Sequence, residues 1–319
     1  MSEGTIHHYQ TIMADPVRMH AYLEAIRRVC PGRVVCEIGV GLGPLSLMAL
    51  QAGARRVYGI EVDAAALEVA RRVLRRNGFD QSRFVPLHGA SHRVELPERV
   101  DVVLSEILNS VAFGENALFF LDDARRRFLA PGGVLLPRAL DVHVALASPA
   151  TFLAERDFWG RQLRADYGMD YRDMLEFVNT DNQMLSILPD ELFTPWQLLK
   201  RIDFARPGDY APPAPVVFQL EKPCSVAGFA VAFEVELCSG VRIRTFPGDA
   251  PTHWQQGFCA FHEPVRGETG DVLALQVLIP RSEAARVYLQ GRCQRIPAER
   301  VAGPERGGGV PPLAAPTPA

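Results

Sequence analysis

The sequence predicts an α/β fold, a doubly wound Rossmann-like domain followed by an antiparallel β-barrel-like domain. Three observations carry this. From Arg33 to Pro137 short apolar runs alternate with helical patterns over about 105 residues, the signature of a parallel sheet with helical crossovers. The first of those runs ends in a glycine-rich turn, EIGVGLG. After Pro137 the texture changes to runs rich in Val and Phe, separated by Pro and Gly turns.

The elements follow in order. Residues 1–29 read as a helical segment with a partial apolar stripe of Val17, Tyr22, Ala25 and Ile26. RVVCEIG is a strand, PLSLMALQAG an apolar helix closed by Gly53, and RVYGIE a second strand. Asp63 caps AAALEVARRVLRRNG, which stops at Asn77-Gly78. RFVPLHG and VDVVLSE are strands, a helix covers Glu115 to Leu129, and GGVLLP is the fifth strand. The Rossmann-like domain is therefore expected over residues 30–138. Beyond it DVHVALA, APVVFQL, VAGFAVAFEVEL, GVRIRTF, QGFCAF and DVLALQVLI read as strands of a domain over residues 139–300. An insert from Glu155 to Pro207 reads as helical and carries Trp159, Tyr167, Tyr171, Met174, Phe177 and Trp196, enough apolar surface to cover another surface. PERGGGVPPLAAPTPA has little to bury, so residues 301–319 are expected to be a disordered tail.

Composition bounds the function. The chain has 319 residues, 48% apolar and 22% charged, enough for a packed core. Its 34 basic and 37 acidic residues give a net charge of −3, which argues against a nucleic-acid binder that works by bulk positive charge. No apolar run approaches the ~18–20 residues that span a bilayer, so no membrane partner is expected. The N-terminal MSEGTIHHYQ has no basic flank before an apolar run. With six scattered cysteines and no CxxC pair, a cytoplasmic protein with reduced thiols and no metal is expected.

Four motifs carry chemistry. In Glu37–Gly43 the glycines Gly39, Gly41 and Gly43 alternate, letting the backbone turn tightly beside a ligand. The spacing is GxGxG, not the GxGxxG of dinucleotide binders, and Glu61 ends the next strand where a carboxylate can accept ribose hydroxyls. Together they fit an adenosine ligand without a pyrophosphate. In SEILNSVAFGE, Glu106 closes the fourth strand and Glu115 follows nine residues later. On a continuous helix they would fall on opposite faces; in a loop they could converge on one cation, for which a guanidinium is the natural partner. His253-Trp254 in PTHWQQGFCAF lies among turn residues, where the pair either faces a cleft or is structural. Asp15 and Arg18 are three apart on one helical face, either as a solvated ion pair or as site residues.

In this order, over Met13 to Ile296, these motifs resemble the protein arginine methyltransferase family, class I S-adenosylmethionine-dependent enzymes. The resemblance implies that Gly39, Gly41, Gly43, Glu37 and Glu61 bind the cofactor, with Ser91 and His92 near its adenine and Arg18 on its methionine carboxylate. It implies that Glu106 and Glu115 clamp the substrate guanidinium and that Asp15 and His253 form a supporting pair. Trp254 would pack near the substrate, and the insert would be a dimerisation arm that makes a homodimer. S-adenosylhomocysteine would be the product.

This sequence departs from the family where Ile107-Leu108-Asn109-Ser110 replaces Trp-Met-Gly-Tyr, where His92 replaces an acid, and in lacking a tyrosine-rich segment ahead of Asp15, which should thin the lid over a bound peptide. The altered loop and the Arg-rich, Lys-poor composition point to a bacterial biosynthetic member that methylates free arginine or a small arginine metabolite. The alternatives are methylation of arginine in Gly/Arg-rich proteins and, from another class, a catalytically inactive dimeric scaffold.

Overall fold

A computed structural model describes residues 3–280 and 286–298. Two helices, α1 (Glu3–Ala14) and α2 (Pro16–Val29), precede the first sheet. That sheet is wholly parallel, with strands β1 (Val34–Ile38), β2 (Arg56–Glu61), β3 (Phe84–His88), β4 (Val100–Ser105) and β5 (Leu129–Leu136) in the order β3-β2-β1-β4-β5. All five residues of β1 are buried, as expected of a central strand covered by helices on both faces. The crossovers are α3 (Pro44–Gln51), α4 (Ala64–Arg76) and α5 (Ala117–Arg127). Asp63 caps α4 as anticipated, its carboxylate accepting from Ala65 N and Ala66 N at 2.8 and 3.2 Å. The order reverses between β1 and β4, and a crevice forms at the carboxyl ends of such strands.

The remaining strands are antiparallel: β6 (Ala139–Ala147), β7 (Asn182–Leu185), β8 (Gln197–Asp203), β9 (Val216–Gln219), β10 (Cys224–Cys238), β11 (Val241–Arg244), β12 (Gln256–Gly267), β13 (Val272–Leu278) and β14 (Gln290–Ile296). One sheet runs β7-β12-β10-β6-β8 with β11 paired to β10, and a second runs β14-β13-β9. Phe229 and Phe233 of the first and Leu273 and Leu275 of the second share one core cluster with the parallel-sheet residues.

Three expectations change. The last crossover helix, α5, begins at Ala117, not Glu115, because Ala112 and Asn116 have φ of 66° and 58° and interrupt any helix before it. The insert is helical only to Thr180; beyond that β7 pairs with β12 and β8 with β6, the latter burying Leu199, Lys200 and Ile202. Strand β14, QGRCQRI, carries no apolar alternation because it is held by pairing with β13. The tail over residues 301–319 lies outside the described residues. Among the described residues no helix is long and apolar enough to cross a membrane.

Candidate active site

A cavity of about 590 Å³ opens at the carboxyl edge of the parallel sheet, lined from α1, the glycine turn, the ends of β2 and β4, the Thr252–Gln255 turn and β7. Gly39 and Gly41 face it, with φ of 75° and 54°. Gly43 does not: it precedes α3 with φ of 84°, and a Cβ there would stand 2.8 Å from Leu74 Cδ1 and 3.0 Å from Ala70 Cβ. Its place in the motif comes from helix packing rather than ligand contact. Glu37 also turns away from the cavity. It is 1% exposed and hydrogen-bonded to Ser46 Oγ, and burial pushes its carboxyl up to about 8. It is therefore a neutral acid behind the turn at pH 7, not a ligand-facing carboxylate. Glu61 lines the cavity and accepts from Gly41 N, Val62 N and Asp63 N at 2.8, 2.8 and 3.0 Å. A carboxylate has about four acceptor sites, so it keeps one toward a ligand hydroxyl.

The acidic motif is a loop, and both carboxylates reach the cavity. Three ties shape it. Asn109 Oδ1 accepts from Gly114 N at 2.9 Å, Gly114 O accepts from Val287 N at 2.9 Å, and Leu108 O accepts from Trp254 Nε1 at 2.7 Å. On β12, Gly257 passes so close that a Cβ would stand 2.7 Å from Ser110 O. Glu106 is fixed by Arg18, whose Nε and Nη2 both donate to Oε2 at 2.9 and 2.7 Å. Glu115 is exposed and lines the cavity, though many protein atoms surround its carboxyl. Burial, then the charge of Glu106, pushes its carboxyl up to about 7, with Arg286 opposing.

Asp15 and Arg18 are not a surface pair: they are 5% and 4% exposed and their charges face different partners. Asp15 caps α2, accepting from Arg18 N at 3.0 Å, while its Oδ2 accepts from His253 N at 2.8 Å and meets His253 Nδ1 at 2.9 Å. Burial raises the Asp15 carboxyl, but the Arg18 and His253 donors outweigh it and hold it below the usual range. Burial holds His253 below the ordinary imidazole value, against the pull of Asp15. His253 and Trp254 line the cavity; Asp15 and Arg18 stand behind them. Trp254 is 2% exposed and spends its indole N–H on Leu108, so it braces the acidic loop.

Ser91 and His92 line the cavity as well. His92 Nε2 accepts from Arg93 Nε at 3.2 Å, which leaves the ring proton on Nδ1, a buried donor without a partner among the described residues. Its ring lies 5.9 and 5.8 Å from those of Phe119 and Phe120. An aromatic-flanked donor fits an adenine ring nitrogen, as Glu61 fits a ribose. Sequence reasoning missed the lid residues His8 and Tyr9, which α1 brings onto the cavity beside Ile12, and a Cβ on Gly41 would meet Tyr9 Cε1 at 2.8 Å. So a tyrosine does cover the glycine turn, where a thinned lid was expected. Burial, followed by Glu61 and Asp63, pushes the Tyr9 phenol up to about 12. Met184, on the insert, was missed as well.

A five-stranded parallel sheet with a GxGxG turn, a strand-end acid twenty residues on and an appended antiparallel domain defines a class I methyltransferase fold. The chain's homologues among known proteins are protein arginine methyltransferases. Residues 4–136 match the family model described as ribosomal protein L11 methyltransferase. A probable histone-arginine methyltransferase of Oryza sativa subsp. indica is 30% identical over 310 residues, covering 90% of this chain and 57% of the relative. A probable protein arginine N-methyltransferase 6 of Arabidopsis thaliana is 28% identical over 329 residues, covering 88% of this chain and 74% of the relative. This chain thus spans little more than half the length of the first of these relatives. Among solved structures, Arabidopsis thaliana protein arginine methyltransferase 10 superposes with a TM-score of 0.75 at 23% identity, covering 92% and 93% of the two chains. A Trypanosoma brucei PRMT1 enzyme–prozyme heterotetrameric complex with AdoHcy superposes with a TM-score of 0.74 at 21% identity, covering 90% and 97%. At these identities the structures speak for the fold.

Proposed function

We propose that this chain is an S-adenosylmethionine-dependent arginine N-methyltransferase whose acceptor is arginine within a polypeptide. The observation that carries it is that Glu106 and Glu115 line one cavity together with Glu61 and His92. Two carboxylates sharing a cavity repel unless a cation lies between them, and the upward shift of Glu115 records that repulsion together with burial. A planar guanidinium would relieve both. The relatives' names speak of histone and protein arginine, which favours a polypeptide acceptor over free arginine.

The cofactor would lie with its adenine beside His92, Phe119 and Phe120, its ribose at Glu61, and Tyr9 over the turn at Gly41. When bound it supplies an electrophilic methyl on a sulfonium. The chain's own residues do the rest. A guanidinium has a pKa above ~12 and delocalised lone pairs, so it is a poor nucleophile. Glu106, held rigid by Arg18, and Glu115, across the cavity, draw positive charge toward the nitrogens they bind and away from the attacking one. They also hold that nitrogen in line with the methyl, where orientation contributes most. Glu115, or His253 backed by Asp15, takes the proton released.

The insert leaves Tyr167, Met169, Tyr171 and Phe177 exposed, and we assign a second copy of the chain to cover them, giving a homodimer. Catalysis is tested by mass spectrometry of the protein incubated with S-adenosylmethionine and either a Gly/Arg-rich peptide or free L-arginine. A 14-dalton gain (roughly one methyl for hydrogen, judged against a boiled control) on the peptide is the expected result. A gain on free arginine alone would reverse the acceptor, and no gain on either would remove the proposal.

A further inference from the structure

Met184 belongs to the segment read from sequence as a dimerisation arm, yet it lines the active-site cavity while remaining 53% exposed. The strand register shows which end of the cavity it serves. Met184 stands opposite Gly257 in the β7–β12 pair, and Gly257 is the residue pressed against Ser110 and Val111 of the acidic loop. His253 and Trp254 lie four and three residues before Gly257 on the same run of chain. Met184 is therefore on the acidic-loop side of the cavity. The position is well fixed: Asn182, two residues earlier, donates from Nδ2 to Leu289 O at 2.9 Å and accepts from Leu289 N at 2.6 Å.

We infer that Met184 is a specificity-determining residue, the apolar wall on which the trimethylene stem of the acceptor arginine packs while Glu106 and Glu115 hold its guanidinium. This rests on the arginine reading and adds the residue that grips the acceptor's stem. The chemistry suits the place. The stem of an arginine is three methylenes that gain by lying on apolar surface while the head stays polar. The neighbouring acidic loop offers Ile107 and Leu108 to the same cavity, followed by the polar Asn109 and Ser110. An unbranched thioether adapts to a stem that must slide as the head is alkylated. An exposed methionine with cavity on one side gains its packing partner only when the acceptor arrives.

The test compares wild type with Met184→Ala and Met184→Leu in the full chain, measuring steady-state methylation of a Gly/Arg-rich peptide and the affinity for S-adenosylhomocysteine. Met184→Ala should raise KM for the peptide roughly ten-fold, the loss of about two methylenes of apolar contact, with kcat within about two-fold. Met184→Leu should restore KM to within about two-fold. S-adenosylhomocysteine affinity should be the same in all three. An unchanged KM in Met184→Ala overturns the inference while leaving the arginine reading in place. An equal loss of S-adenosylhomocysteine affinity also overturns it, since Met184 would then serve the cofactor. A wild-type protein that methylates neither peptide nor free arginine overturns the arginine reading and this inference with it.

Discussion

Arg18 grips Glu106 through two N–H groups on a single carboxylate oxygen, at 2.9 and 2.7 Å, with side chains 5% and 7% exposed. The two acids of the cavity are thus unlike before any ligand arrives. One is positioned and neutralised from behind, the other is left facing the cavity with its charge disfavoured. Arg18→Lys keeps the charge but loses the fork that holds Glu106 in one orientation. We expect kcat/KM for methyl transfer to fall about 10²-fold or more, with the melting temperature within a few degrees of wild type. Arg18→Met leaves a buried carboxylate uncompensated and should cost about 3–5 kcal/mol in chemical denaturation. Wild-type kcat/KM in Arg18→Lys would mean the guanidinium geometry is immaterial.

The same asymmetry sets a pH profile. Burial and the charge of Glu106 push the Glu115 carboxyl up to about 7, and only its ionised form can receive a guanidinium. Since kcat/KM reports free-enzyme ionisations, it should climb about ten-fold per pH unit below 7 and level off above it. With substrate bound, the cation lowers that pKa, so the limb in kcat should lie further toward acid. His253, held below its ordinary value, is already neutral there and adds no rise at 7. Glu115→Gln should lower activity and abolish this limb; a limb that survives the substitution belongs to another group.

Glu37 gives a stability effect of definite sign. Its carboxyl is raised to about 8 in the folded chain, against an ordinary value of 4.5, by burial. The folded state therefore holds a proton that the unfolded state has released between those limits, and stability from this group is full below 4.5 and lost as pH rises to 8. Glu37→Gln is neutral throughout. Its melting temperature relative to wild type should improve steadily from pH 5 to pH 8, while S-adenosylhomocysteine affinity at pH 7 changes by less than about three-fold. A large loss of that affinity would return Glu37 to the ligand-binding set.

What the sequence makes legible follows from how local each constraint is. The glycine turn, Glu61 and the acidic loop are each set by a few neighbouring residues, and Asn109 and Gly114 already mark the loop that carries Glu115. Gly43 and Glu37 share that motif but serve packing. Strand β1 is buried on both faces, so alternation could not tell which side chains meet the ligand. The Asp15–His253 pair spans 238 residues, and nothing in either neighbourhood specifies the other. Tyr9 and Met184 reach the cavity from a helix and a strand read as peripheral, and only tertiary packing brings them there. The polar strand β14 is defined by its ladder, not its side chains.

Trp254 links the antiparallel domain to the acidic loop, and its role separates cleanly from simple packing. Its ring lies 5.5 Å from that of Phe233 at 73° and 4.2 Å from that of His253, contacts a phenylalanine would largely keep. Its N–H to Leu108 O is what phenylalanine cannot supply. Trp254→Phe leaves that buried carbonyl short of a donor, worth about 1–3 kcal/mol, and the loop can relax to relieve it. The loop moves Glu106 and Glu115 relative to each other, so misplacement should appear as a kcat loss of about 10–10²-fold. S-adenosylhomocysteine, which the proposed function places at Glu61 and His92, should keep its affinity. Isothermal titration beside steady-state kinetics reads both quantities. If kcat holds and only the melting temperature falls, Trp254 is core packing and the hydrogen bond to Leu108 does not set the geometry of the clamp.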